Sequence, residues 1–181
     1  MTEQLSDQRI SMRDGSLSEA AEGGDIEHMY MTFDLADETY AVNIQYVTEI
    51  VGMQHISAVP DMPDFIRGAM NLRGKVIPVM DLRLRFGLPW QEYDDRTTII
   101  VLDQNNSQTG LVVDSVTDVV TIPKESIDPP PNWHGNESRG VIQGLAKQNN
   151  SVSMILDIAR LLMDHQIINP ASAEMVEPSA A

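Results

Sequence analysis

The chain has 181 residues, of which 27 are acidic and 12 basic, so its formal charge at pH 7 is −15. This length, with 42% apolar residues, is typical of one globular unit or two very small ones. So negative a charge disfavours nucleic acid as a partner, because phosphate-binding surfaces are basic. The absence of cysteine excludes disulfides, thiolate nucleophiles and Cys-ligated metal centres.

The two ends differ in composition from the middle. Residues 1–27 contain seven acids, two bases and almost no large apolar side chains, so we predict a disordered acidic tail. Residues 169–181, with Pro, Ala and scattered Glu, predict a disordered C-terminal tail. The domain is then expected over 28–168. Because the sequence shows neither a membrane span nor a signal peptide, we expect a cytoplasmic protein without direct membrane insertion.

Alternation of apolar and polar residues predicts four β-hairpins in chain order. Each has a polar or glycine-containing turn between two apolar strands, and they lie at 31–44, 68–80, 97–116 and 141–156. Helical spacing is limited to two short segments, 81–86 and 157–163, and each begins with an aspartate in the N-cap position. The sequence therefore predicts a mainly β chain with short helices.

The chain also resembles itself. Ile66, Gly68 and Asp81 have counterparts at Ile142, Gly144 and Asp157, and the segment 47–51 has one at 116–120. The spacing between Ile66 and Ile142 is longer than that between the segments 47–51 and 116–120. The difference predicts an insertion in the second half, at the Pro-rich stretch 128–135, where strands and helices are not tolerated. We therefore expect two small five-stranded β-barrels built from halves at about 29–88 and 96–165, packed together over a shared apolar seam. Whether strands are exchanged between the barrels stays open.

Motifs of catalysis, metal binding or cofactor binding are missing from the sequence. It contains no G-x-S-x-G, H-E-x-x-H or phosphate-loop pattern, and the four histidines are isolated. Asp81 and Asp157 could form a carboxylate pair, but their matched positions at two helix starts favour two equivalent N-caps. We expect no enzymatic activity, no cofactor and no metal site.

A basic segment lies between residues 65 and 85. It carries five basic residues against one acid, Asp81, for a local net charge of +4. Such a segment is either simply solvated or a surface for an acidic partner.

Two rival function classes need features that this sequence lacks. An enzyme needs titratable groups that converge on one site. A β-barrel that binds nucleic acid needs exposed aromatic residues among basic strands, and aromatic residues are only 5% of this chain.

The segment 68–83, GAMNLRGKVIPVMDLR, resembles the G-x-x-N-L-R-G-x-x-[IV]-P-[IV]-x-D-L-R signature of CheW coupling proteins. Around it, FDLADETYAVNI, VTEIV, TIIVL, GLVVDSVTDVV and MILDIARLL follow in the family's order, so the resemblance covers about residues 29–163. It implies two SH3-like barrels. It also implies a non-enzymatic adaptor that links the cytoplasmic tips of membrane-anchored chemoreceptors to the regulatory domain of the CheA histidine kinase. An adaptor of a pilus-motility or other chemosensory pathway is the alternative.

The same resemblance implies which residues bind partners. Carried over by motif, they are Val47, Glu49, Gly68, Asn71, Arg73, Gly74, Lys75, Thr97, Thr98 and Ile99. Thr48 and Val51 depart from the family pattern, since glutamine and arginine are usual there. We expect Arg73, in a turn between two strands, to recognise a partner, so that Arg73→Glu keeps the fold. The alternative is a surface ion pair with Asp81 or Glu49.

Overall fold

The computed structural model describes residues 26–130 and 140–163. Residues 1–25 and the predicted C-terminal tail lie outside this range, as does most of the Pro-rich stretch. Residues 26 and 27, which composition assigned to the acidic tail, belong to a 3-10 turn at Ile26–His28. Two further 3-10 turns lie at Ile44–Tyr46 and Lys124–Ser126.

The described chain is mainly β, as predicted. Its strands are β1 (Met29–Leu35), β2 (Glu38–Asn43), β3 (Val47–Gly52), β4 (Ile66–Leu72), β5 (Lys75–Asp81), β6 (Thr98–Gln104), β7 (Ser107–Val113), β8 (Ser115–Thr121), β9 (Ile127–Asp128), β10 (Ile142–Gln148) and β11 (Ser151–Leu156). The two α-helices are α1 (Leu82–Arg85) and α2 (Ile158–Met163). All four predicted hairpins and both predicted helices are present.

The strands form two sheets. Sheet I has the order β8-β1-β2-β11-β10-β9, and sheet II has the order β3-β6-β7-β5-β4. In each sheet one pair is parallel, β2 with β11 in sheet I and β5 with β7 in sheet II, and the other pairs are antiparallel. Sheet I has one strand more than predicted, the two-residue β9. The expectation that no strand would include Asp128 is therefore wrong.

The internal duplication appears in the structure as two sheets of the same topology. Strands β1, β2 and β3 correspond to β6, β7 and β8, whereas β4, β5 and α1 correspond to β10, β11 and α2. Each sheet takes a hairpin from one half of the chain and its other main strands from the other half. Strands are therefore exchanged between the halves, which the sequence left open.

Both faces of each sheet carry buried apolar residues. Ile100 and Leu102 of β6 belong to a large cluster that draws residues from both sheets, and their neighbours Ile99 and Val101 belong to a smaller cluster confined to sheet II. Sheet I has a corresponding small cluster around Ile155. This explains why β6 is a continuous apolar run instead of alternating with polar residues. The predicted apolar seam is the large shared cluster.

The aspartates that precede the two helices are N-caps, as predicted. The Asp81 carboxylate accepts a hydrogen bond from the backbone N–H of Leu84 at 3.4 Å, and that of Asp157 accepts one from Arg160 at 3.0 Å. Each aspartate also donates a backbone hydrogen bond at an equivalent position of the repeat. The Asp81 N–H bonds to the Phe65 carbonyl, and the Asp157 N–H bonds to the Val141 carbonyl. The matched aspartates therefore fix the same strand-to-helix corner twice.

One ion pair joins the two sheets at a corner of the chain. Arg83 of α1 donates two hydrogen bonds of 2.7 Å to the two carboxylate oxygens of Asp114, which lies between β7 of sheet II and β8 of sheet I. Asp114 also accepts a bond of 2.9 Å from the backbone N–H of Ala36 in the β1–β2 turn. The Arg83 side chain is only 14% exposed. Hydrogen bonding to Asp114 raises the pKa of Arg83 above its already high ordinary value, so the guanidinium is charged at any physiological pH.

We expect Arg83→Met to lower the free energy of unfolding by about 2–3 kcal/mol, because it leaves the largely buried Asp114 carboxylate without its two strongest donors. Urea denaturation measures the loss. The control is Arg160→Met, which removes an exposed pair with Asp157 on the equivalent helix and should cost about 0–1 kcal/mol. Equal losses in the two variants would show that the Arg83 pair does not stabilise the joint between the sheets.

Candidate functional site

An ion pair also lies at the centre of the predicted partner-binding residues. Nη2 of Arg73, in the β4–β5 turn, is 3.0 Å from Oε2 of Glu49 on β3. The two side chains differ in exposure, with Arg73 73% exposed and Glu49 only 11%. Because β3 and β4 are the two edge strands of sheet II, the sheet is curved enough for a side chain from the β4–β5 turn to reach the opposite edge strand. Of the two ion-pair partners considered for Arg73, the structure selects Glu49.

The turn that carries Arg73 has an unusual backbone for an arginine. Arg73 and Gly74 have φ values of 53° and 85°, which is the left-handed geometry of a two-residue type I′ hairpin turn. The Asn71 side chain accepts a hydrogen bond from the Gly74 N–H at 2.9 Å and so closes the turn. The equivalent turn in sheet I has asparagines at 149 and 150, the residue type that tolerates this region best. Turn propensity therefore does not explain an arginine at position 73.

The remaining predicted residues differ in what they present to solvent. Lys75 is exposed and its Nζ lies 3.4 Å from Oε1 of Gln108 on β7. Val47, Thr97 and Ile99 are buried, so their side chains support the backbone of the site and are not part of its surface. Thr98 is partly exposed and pairs with Gly52 at the end of β3. Sheet II thus brings the predicted residues into one region, although only some of them can touch a partner.

Gly68 is buried and has a packing function. Its φ is +141°, and a Cβ at this position would overlap the Ser57 carbonyl group, lying 2.7 Å from its carbon. The close approach allows Ser57 and Ala69 to exchange two backbone hydrogen bonds of 2.8 and 2.9 Å. Gly144 in sheet I lies against Asp128 of β9 in the same way, though less closely: a Cβ at this position would be 2.9 Å from the Asp128 carbonyl oxygen. The glycine therefore lets a neighbouring segment add to the edge of each sheet.

A second buried carboxylate, Asp81, lies at the far end of β5 from the turn. Asp81 is 2% exposed and accepts a hydrogen bond of 2.7 Å from the Tyr93 hydroxyl, in addition to its N-cap bond. Burial, and secondly the bond to Asp81, raise the pKa of Tyr93 well above the ordinary value of 10. Tyr93 also packs edge-on against Trp90, at 6.2 Å between ring centroids. These contacts attach the segment between α1 and β6 to sheet II.

Metal-binding and membrane-spanning features are not found in the described part of the chain. Over residues 26–130 and 140–163 the structure shows no group of three or more His, Asp or Glu side chains that could hold a metal ion. In the same ranges, no helix has the length and apolar character needed to cross a membrane.

Comparison with known proteins identifies the family. Residues 29–166 match the family model described as CheW-like domain. The chain belongs to the CheW family. Its relatives include the chemotaxis protein CheW of Klebsiella aerogenes, 32% identical over 80% of this chain and 87% of the relative. The chemotaxis protein CheW of Helicobacter pylori is 30% identical over 90% of this chain and 98% of the relative. A solved structure, the scaffolding protein TtCheW of Thermoanaerobacter tengcongensis, aligns with a TM-score of 0.70 and 34% identity over 76% of this chain and 93% of that one.

Much of the CheW signature in this chain specifies structure. Gly68 allows a close approach, Asn71 closes the turn, Asp81 caps α1, and Arg83 holds the joint between the sheets. Arg73 is the charged signature residue that remains exposed, and Lys75, at a variable position of the signature, is exposed beside it. The Arg83–Asp114 and Tyr93–Asp81 contacts were not predicted from the sequence, since their partners are separated by loops and share no local pattern. The matched positions of the two aspartates at helix starts were the only signal that pointed toward Asp81.

We expect Gly68→Ala to lower the free energy of unfolding by about 2–4 kcal/mol, because the new methyl group collides with backbone and because an L-residue is strained at this φ. The matched control is Gly52→Ala on β3, where a Cβ meets nothing within 4 Å. Urea denaturation compares the two variants. A Gly68→Ala protein as stable as Gly52→Ala would contradict the packing function.

We expect alkaline pH to destabilise the protein through Tyr93. Its pKa is higher in the folded than in the unfolded chain, so its contribution is complete below about pH 10 and is lost as the pH rises above that value. The free energy of unfolding should therefore fall more steeply in the wild type than in Tyr93→Phe between about pH 9 and about pH 11.5. Denaturation series at several pH values measure both slopes. Parallel curves would show that Tyr93 makes no such contribution.

Proposed function

We propose that this chain is a non-enzymatic coupling adaptor of a chemotaxis pathway, which holds the cytoplasmic tip of a chemoreceptor and the regulatory domain of a CheA-type histidine kinase in one complex. Membership of the CheW family supports the adaptor function. So do relatives named chemotaxis protein CheW and a structural neighbour named as a scaffolding protein. The chain would act in the cytoplasm, attached to membrane-anchored receptor arrays through its partners.

The observation that carries this proposal is the exposed Arg73 guanidinium held in place by a buried carboxylate. The bond to Glu49 fixes one nitrogen of Arg73, and a guanidinium has five N–H donors in a rigid fork. With 73% of the side chain exposed, the other donors can bind a carboxylate of a partner. Binding to a fixed side chain loses less conformational entropy than binding to a mobile one. The turn is therefore a preorganised recognition site for an acidic group.

An exposed apolar side chain lies on the same hairpin. Val76, next to Lys75 on β5, is 75% exposed, an unusual position for a β-branched apolar residue in a buried sheet. Interfaces combine an apolar centre with charged groups that set orientation and association rate. Arg73, Lys75 and Val76 offer both kinds of contact on one rigid hairpin. The described residues offer no comparable arrangement for catalysis.

The names of the relatives favour chemotaxis over pilus motility. The Klebsiella and Helicobacter proteins are both named for chemotaxis, so the pilus or other chemosensory pathway is the less supported alternative. The adaptor function is common to both, because the surface described above is independent of which receptor the pathway uses.

We expect Arg73→Gln to reduce receptor-dependent kinase activation about tenfold or more while lowering the free energy of unfolding by only about 1–2 kcal/mol. The first effect follows from loss of the charged fork at the interface. The second follows from loss of the charged partner of Glu49, whose carboxylate can still accept a hydrogen bond from the glutamine amide. We choose glutamine because Arg73→Glu would place two carboxylates side by side. A reconstituted assay with receptor and CheA-type kinase, and a urea melt on the same preparation, measure both quantities.

Lys147→Gln is the matched control. Lys147 has the same 73% exposure, forms an ion pair of 2.7 Å with Asp128, and lies on the corresponding hairpin of sheet I. It should keep full activation. The exchange of Arg73→Glu with Glu49→Arg should restore the ion pair and stability but not activation. Full activation by a folded Arg73→Gln protein, or by the charge exchange, would remove Arg73 from the partner-binding surface.

A further inference from the structure

Acidic residues are concentrated in the last part of the sequence before the domain, at residues 14–27. Between residues 14 and 27 the chain has five acids, Asp14, Glu19, Glu22, Asp25 and Glu27, and no basic residue. The two basic residues of this region, Arg9 and Arg13, come before that segment. We call residues 14–27 the acidic segment.

The acidic segment joins the domain next to the candidate site. The Glu27 carbonyl accepts a hydrogen bond of 2.8 Å from the Asn43 side chain. The 3-10 turn at 26–28 contacts the one at 44–46, which leads directly into β3. Glu49, two residues beyond the start of β3, holds Arg73. Since two strand residues span only about 7 Å, the chain enters the domain within a short distance of the Arg73 turn.

The Arg73 turn presents two exposed cations, Arg73 and Lys75, which we call the basic turn surface. Over residues 26–130 and 140–163, no carboxylate lies within 4 Å of the Lys75 charge, and Arg73 uses one nitrogen for Glu49. The equivalent positions of sheet I are Asn149 and Ser151, which carry no charge. The cations are therefore a property of one hairpin and not of the repeated fold.

The length of the acidic segment is sufficient for contact. Residues 14–25 can extend over about 40 Å, several times the separation along β3 between the chain entry and Glu49. A tethered segment of this length has an effective concentration of about 1 mM at a nearby surface. Weak charge pairing is then enough for appreciable occupancy, although it is sensitive to salt.

We propose that the acidic segment docks on the basic turn surface of its own chain and competes there with the acidic partner. The competition rests on the proposed function, whereas the docking does not. An adaptor that is alone would then have its recognition site partly covered, and a partner would have to displace the segment. Charge complementarity, the position of chain entry and the absence of these charges from the other hairpin support this proposal.

Paramagnetic relaxation in the full chain tests the docking without any partner. Because the chain has no cysteine, Ser18→Cys gives a single attachment point for a nitroxide label. We expect selective broadening of the amide signals of residues 73–75 and little broadening of residues 149–151, the matched turn of sheet I. The effect should disappear at high salt, and in the variant Glu19→Gln/Glu22→Gln/Asp25→Asn. The control variant Glu3→Gln/Asp7→Asn, which neutralises acids outside the acidic segment, should keep it.

Equal broadening at both turns, or broadening that survives neutralisation of the segment, would overturn the docking. A second measurement separates the competition from the docking: neutralising the segment should raise the affinity for receptor and CheA-type kinase about two- to tenfold. Selective broadening with unchanged affinity would overturn the competition alone. If Arg73→Gln also left partner binding intact, the failure would lie in the proposed function and not in the docking.

Discussion

The shared apolar layer between the two sheets is the interaction on which the rest of this structure depends. It draws buried side chains from strands of both sheets and from both helices, whereas the separate cores of sheets I and II are much smaller. Each sheet also receives a hairpin from the other half of the chain, held by the parallel pairs β2–β11 and β5–β7. A half of about 60 residues would bury little surface by itself and would be only marginally stable alone. The exchange therefore makes the two halves fold as one unit.

The curvature of sheet II follows from this packing and creates the candidate site. One face of the sheet lies on sheet I, and the other closes around its own small cluster, to which both Val51 of edge strand β3 and Met70 of edge strand β4 contribute. The two edges therefore approach each other, and Glu49 meets Arg73 across the gap. An unpaired carboxylate that is only 11% exposed would be costly. Glu49 thus requires the arginine, and the arginine is held outward by a residue that the fold has buried.

The sequence predicted the hairpins and helix caps, but it left open which strands pair between the two halves of the chain. The reason is physical. Alternation of apolar residues and turn residues is a local signal, so hairpins such as the one around Arg73 and the aspartate caps could be recognised. The internal repeat also predicted two similar units. Exchange of hairpins leaves no such signal, because β2 can pair with a strand from either half without changing its pattern of buried residues. The burial of Glu49 was equally hidden, since it depends on a β-bulge between Val47 and Glu49 and on the curvature of the whole sheet. The motif predicted which residues belong to the candidate site. Only the structure shows which of them are exposed and which are buried.

The two sheets have the same topology but differ in surface chemistry, and this difference bears on function. At the bulge, Thr48 bonds to the Val101 carbonyl and Thr117 lies 2.7 Å from the Thr32 hydroxyl, so corresponding threonines fill corresponding places. The charges do not correspond: the counterparts of Arg73, Lys75 and Arg83 in the repeat are Asn149, Ser151 and Ala159. Residues that both copies share are those that the fold needs, such as the N-cap aspartates and the glycines of close approach. A residue present in one copy only can still be structural, as Arg83 is, since it bonds Asp114 at the joint between the sheets. Arg73 and Lys75 are both absent from the repeat and exposed to solvent, and this combination supports the proposed recognition surface on the hairpin of sheet II.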